Sequence, residues 1–144
     1  MGFFLKMNVT ELANRARSFN GAILLHEATA IQKSEKVLVN LNKDQMLKSK
    51  TANDTTIKPK YSSGYAAYKG FDFPDLKDTG DFQKDMFLVA KQGEFFINSI
   101  DWKAPELETK YDNIFGIAPI NNAKASAEAS KNLLKLEIEK VWRI

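Results

Sequence analysis

The stretch Pro74-Asp75-Leu76-Lys77-Asp78-Thr79-Gly80-Asp81-Phe82 divides the chain: residues before it read as helix and polar loop, residues after it as strands. Within it, Asp78-Thr79-Gly80 has two readings. It spells the nucleophile triplet of aspartic proteases, echoed further on by Ile114-Phe115-Gly116. It also spells a turn in which Gly80 takes a conformation closed to other residues while Leu76 and Phe82 bury on either side. The flanks decide between them. A protease of the small dimeric type needs a desolvated carboxylate dyad that shares one proton, with apolar residues before the triplet and a small one after it. Lys77 and Asp81 stand there instead, and the helical stretch upstream is wrong for an all-β enzyme. A structural turn built on Leu76, Thr79, Gly80 and Phe82 is the expectation, and a retroviral-type aspartic protease the weaker alternative.

Downstream, Asp85 to Lys91 and Glu94 to Ile100 form a hairpin candidate around Gln92-Gly93, where Gly93 can take the positive φ of a tight turn. Placing Lys91 opposite Glu94 pairs Ala90 with Phe95, Leu88 with Ile97 and Met86 with Ser99 on one face. It pairs Val89 with Phe96 and Phe87 with Asn98 on the other. The first face is core. The second is also apolar, so it needs cover from a helix of this chain or from a neighbouring subunit. Residues 106–111 then read as a short helical turn. A last amphipathic helix follows from about Asn122 to Trp142, with Ala123, Ala127, Leu134, Ile138 and Val141 as its inward stripe.

Upstream, Asn8 and Glu11 make a capping pair for a helix that stops at Asn20-Gly21. From Ala22 to Lys48 neither Gly nor Pro interrupts, and Leu24, Ala28, Ile31, Leu38 and Leu41 recur on one side, which predicts the longest helix of the chain. His26, the only histidine, has no second metal ligand near it in sequence and reads as a surface or half-buried side chain. Residues 49–73 are polar and turn-forming. Lys48, Lys50, Lys58, Lys60 and Lys69 interleave there with Tyr61, Tyr65 and Tyr68, in a long loop with a short helical turn near Tyr65.

With 144 residues, 44% of them hydrophobic, the chain can bury one core, and a domain of this size typically hides roughly two-thirds of its unfolded surface. The expected plan is a single α+β domain over 1–144: helical to 48, a polar interaction loop over 49–73, a sheet region over 74–117 and a C-terminal helix over 119–144. A net charge of +3 is too mild to identify a nucleic-acid binder, and the absence of cysteine excludes disulfides, thiolate nucleophiles and Cys-zinc sites. The apolar opening Met1 to Met7 is too short for a signal-peptide core or a membrane span, so it is expected to stay with the chain. Lys6 occupies the position where a myristoylation motif has Ser or Thr. With no phosphate-binding glycine loop, catalytic triad or metal cluster in the sequence, neither enzymatic activity nor a cofactor is expected.

The order of features from Leu38 to Gly116 resembles the virion-morphogenesis proteins of tailed bacteriophages, the tail-completion or neck family. A helix ending in Leu41-Asn42-Lys43-Asp44-Gln45-Met46-Leu47 leads to a polar stretch with Lys58-Pro59-Lys60-Tyr61-Ser62. Then come Leu76-Lys77-Asp78-Thr79-Gly80-Asp81-Phe82, a hairpin, and Tyr111 to Gly116. The wording is similar to versions from phages of Bacteroidetes-type hosts. Phe82 stands where many relatives have Leu, Lys84 or Asp85 where a Ser is usual, and Tyr111-Asp112-Asn113-Ile114-Phe115-Gly116 replaces a Tyr-Ala-x-x-His segment. The resemblance implies a structural virion protein, made in the bacterial cytoplasm, that joins head to tail as a ring. Its partners would be portal, connector or tail proteins, with no membrane, catalysis or cofactor and no requirement for nucleic acid. Phe87, Val89 and Phe96 of the hairpin and Tyr61, Tyr65 and Tyr68 of the loop are the expected assembly surfaces. The alternative function is a small nucleic-acid-binding protein that uses the lysine and tyrosine loop.

Overall fold

The computed structural model describes residues 26–91 and 94–141, so the expected helix over 8–19 and the Gln92-Gly93 turn lie outside the described residues. The fold is α+β. A helical segment over 26–33 runs into α1 (Glu35–Leu47). There follow α2 (Ser63–Lys69), the single turn α3 (Asp81–Lys84), β1 (Met86–Lys91), β2 (Glu94–Ser99), α4 (Ala104–Lys110) and α5 (Asn122–Leu136), which ends in a π-helical turn, Glu137–Val141.

The helix expected over 22–48 is divided at Ser34 in its described part. Ser34 is 1% exposed, and its hydroxyl donates back to the Ala30 carbonyl at 2.8 Å while accepting from Asn132 Nδ2 of α5 at 2.8 Å. A hydroxyl that competes for the carbonyl one turn back bends a helix. Beyond Ser34, α1 packs against both β1 and α5.

The hairpin forms in the derived register, Met86 with Ser99 through Lys91 with Glu94. Met86, Leu88 and Ile97 bury against Leu38, Val39 and Met46 of α1, and Ile57, Leu76, Phe82, Tyr111 and Ile114 complete the core. Asp85 and Ile100 fall just outside the strands, where the Ile100 amide donates to the Asp85 carbonyl at 3.2 Å and closes the base of the hairpin.

A two-stranded sheet has two open edges, and the edge of β1 is covered by side chains. Gln32 donates to the Leu88 carbonyl at 2.9 Å and accepts from the Ala90 amide at 3.0 Å, while Glu35 accepts from the Leu88 amide at 2.9 Å. The helix thereby supplies the pairing that a third strand would make. Because Leu88 and Ala90 face outward, their cross-strand partners Ile97 and Phe95 turn their backbone groups to the outer edge of β2. Among the described residues nothing pairs with that edge.

The sheet region over 74–117 holds only these two strands. Its last part is an irregular segment that the buried amides of α1 hold in place. Asn42, fully buried, donates to the Ile114 carbonyl at 2.9 Å and accepts from the Gly116 amide at 3.0 Å. Gln45 donates to the Gly116 carbonyl at 2.9 Å and accepts from the Ala118 amide and from Asn121 Nδ2, each at 2.8 Å. Gly116 sits at φ +130 and an added Cβ would lie 3.0 Å from Ala52 Cβ, so only glycine lets the segment run this close.

The inward stripe expected on α5 is corrected. Ala123 and Ala127 are exposed, Leu134 is 61% and Ile138 40% exposed, and the buried or half-buried positions from Asn122 to Glu137 are Ala125, Glu128, Ala129, Asn132, Leu133, Leu136 and Glu137. The physical reason is polar pairing: Asn132 reaches Ser34, and Glu137, 2% exposed, places Oε1 2.9 Å from His26 Nδ1. An inward face that carries an amide and a carboxylate does not register as the apolar one.

Candidate functional site

The 76–82 turn is more constrained than its glycine alone implies. Leu76 itself takes a positive φ of 56 and Gly80 one of 94, and Gly80 caps α3 rather than opening directly into a strand. Leu76 and Phe82 are 8% and 4% exposed, and the Phe82 ring lies 5.7 Å from that of Phe115. Thr79 donates to the Asp81 carboxylate at 2.7 Å. Asp78 projects outward with its side chain 78% exposed, its carboxylate 3.7 Å from Lys103 Nζ. A proton-sharing carboxylate dyad depends on desolvation, and Asp78 is solvent-exposed.

Beside this turn lies a cavity of about 460 Å³. Lys60, Tyr61 and Tyr65 come from the loop and α2, Lys77 to Gly80 from the turn, and Lys103, Lys110 and Tyr111 from α4 and its ends. Ser62 begins α2 by accepting from the Tyr65 amide, and Gly70 ends it in the left-handed conformation, so this short helix presents its tyrosines as a group. The Tyr61 and Tyr65 rings meet edge to face at 4.7 Å, and Tyr65 and Tyr68 lie 6.0 Å apart. Tyr61 is anchored at Asp75: its hydroxyl donates to the carboxylate at 3.3 Å and accepts from the Asp75 amide at 3.4 Å. Burial, followed by the nearby Asp75 charge, pushes the Tyr61 phenol up to about 12.

Of the loop lysines singled out from sequence, Lys60 lines this cavity, whereas Lys69 is tied to the Asp75 carboxylate at 3.2 Å and to the Lys77 carbonyl. Lys77, Lys103, Lys110 and Tyr111 join it from elements distant in sequence, and no local motif marks them. Lys60 sits 5.1 Å over the Phe73 ring and Lys110 5.3 Å over that of Tyr111. Among the described residues only Lys103 of the four has a carboxylate within 4.0 Å.

The hairpin residues expected to make contacts occupy the outer face. Val89 is 41% and Phe96 50% exposed, Phe87 is half-buried, and Lys91 Nζ lies 5.4 Å over the Phe96 ring. Tyr68 is 83% and Tyr65 41% exposed, while Tyr61 is half-buried. No ring pairing joins the tyrosine group to the hairpin phenylalanines among the described residues. The same residues contain no group of three His, Cys, Asp or Glu side chains placed to hold a metal, and no helix long and apolar enough to cross a membrane. Comparison with protein-family models, with curated proteins and with solved structures finds no match to this chain.

Proposed function

We propose that this chain is a structural component of a tailed-phage virion, in the neck or tail-completion layer, that works by ring-like association of copies and by contact with portal, connector or tail proteins. One observation carries the reading: the outer face of the hairpin, with Val89 and Phe96 exposed beside Phe87, has no covering element among the described residues. A water-facing strand ordinarily alternates to polar side chains, and a contiguous apolar face is the mark of an interface. Among the described residues, the unpaired edge of β2, Leu134 of α5 and Ile138 of the π-helical turn are also exposed. In a ring each copy uses two different surfaces, one against each neighbour, and separate apolar faces on the hairpin and on α5 suit that geometry. The resemblance from Leu38 to Gly116 supplies the virion context.

The test is the mass of the purified protein in solution together with mass spectrometry of purified virions. Concentration-dependent assembly and presence in the particle are expected. A protein that stays monomeric and is missing from virions is not a neck component.

A further inference from the structure

We infer that the cavity between the 76–82 turn, α2 and α4 binds a single-stranded nucleic-acid segment, with phosphates along the lysines and a base against the Tyr65 and Tyr68 rings. Four lysines, Lys60, Lys77, Lys103 and Lys110, face one aspartate, Asp78, around this cavity. The lining thus carries a local excess of three positive charges. Three of these ammonium groups rest over aromatic rings, Lys60 on Phe73 at 5.1 Å, Lys103 on Trp102 at 5.6 Å and Lys110 on Tyr111 at 5.3 Å. A cation held by a ring keeps its outward hydrogens for an incoming anion, whereas a carboxylate partner would occupy them.

The choice of anion follows from the aromatic rim. Tyr65 lines the cavity and is 41% exposed, and Tyr68, 83% exposed, has its ring tilted 35° to that of Tyr65 with centroids 6.0 Å apart. Exposed aromatic faces next to spaced ammonium groups are the combination that grips unpaired bases and their backbone, since stacking serves every base and lysine serves every phosphate. An acidic peptide would use the lysines and leave these rings idle. A duplex would use the phosphates and keep its bases out of reach. The volume, about 460 Å³, fits a local grip on a strand better than a whole domain docking into it.

The test is fluorescence anisotropy with the full chain and a labelled oligothymidylate of about 20 nucleotides, at about 50 and about 200 mM salt. Four lysine contacts on a single strand give a log–log salt slope of about −3. Lys77→Glu with Lys110→Glu is expected to weaken binding at least tenfold at low salt and to flatten the slope by about 1.4. Lys124→Glu with Lys135→Glu, the same charge change on α5, should leave the slope as it is. Tyr65→Ala with Tyr68→Ala is expected to cost about tenfold with the slope unchanged. Circular dichroism of each variant confirms folding, which these exposed positions are expected to tolerate. Equal loss in both charge-reversed pairs, undiminished binding by the tyrosine variant, tighter binding of a duplex, or equal competition by polyglutamate would each overturn the inference. Binding here is read on the protein whatever its assembly state, so this result and that for the ring are separable.

Discussion

Replacing Asn42 by leucine removes the side chain that holds the end of the sheet region in place. Its side chain is fully buried and joins two backbone groups, the Ile114 carbonyl at 2.9 Å and the Gly116 amide at 3.0 Å. Leucine is the larger side chain, so no cavity opens, and the cost is the two polar groups left without partners plus any overpacking by the added methyl groups. Each such group costs about 1–3 kcal/mol when it stays buried, which puts the loss from the two at about 2–6 kcal/mol. In a chain of 144 residues that lowers the melting temperature by about 7–20 °C. Urea unfolding followed by circular dichroism reads the same loss as a lower midpoint at unchanged slope. Asn42→Asp sharpens the test, because aspartate can still accept from the Gly116 amide yet cannot donate to the Ile114 carbonyl, and it buries a charge. It should be at least as destabilising as leucine. A leucine variant within about 0.5 kcal/mol of the parent would refute the reasoning, since it would mean that water or another group satisfies the 114–116 backbone as well as Asn42 does.

Gly116→Ala should cost about 1–3 kcal/mol by thermal melting, from a positive φ together with a contact at 3.0 Å to Ala52, while Gly80→Ala, at φ 94 but with open space around it, should cost only about 1 kcal/mol. Equal effects at the two glycines would show that the Ala52 contact does not matter. Gln32→Ala should speed amide exchange at Ala90, whose hydrogen bond it removes, and leave that of Leu88, held by Glu35, nearly protected. Tyr61 should titrate near 12, above the ordinary tyrosine value of 10.0, in an ultraviolet pH titration. Its folded-state pKa is raised, so its contribution to stability is present in full below pH about 10 and disappears as pH climbs towards 12. Four tyrosines titrating together at the ordinary value would contradict its burial.

The hairpin and its register were legible in the sequence because two apolar runs of matching length flank Gln92-Gly93, and the one pairing of Lys91 with Glu94 fixes both faces. The turn residues Leu76, Gly80 and Phe82 were legible for a similar reason, a glycine between two buried apolar side chains. The face of α5 was misread because the polar pairs Asn132 with Ser34 and Glu137 with His26 are long-range, and a helical wheel counts such residues as solvent-facing. Gln32 and Glu35 look like a solvated helix surface until β1 is placed beside them, and only then does their role as a surrogate strand emerge. The lysine cavity was half visible: the loop supplied Lys60 and the tyrosines, but Lys77, Lys103 and Lys110 reach it through the turn and α4. No spacing rule joins residues so far apart in the chain.

The central claim is that the exposed face of the hairpin is covered by another copy. Analytical ultracentrifugation of the parent protein and of Val89→Glu with Phe96→Glu, over a range of concentrations, tests it most directly. Both positions are exposed, at 41% and 50%, so the charges should leave the fold and its circular dichroism unchanged. The parent is expected to sediment as a closed oligomer and the variant as a monomer. A parent that remains a monomer throughout, or a variant that assembles as the parent does, would contradict the claim.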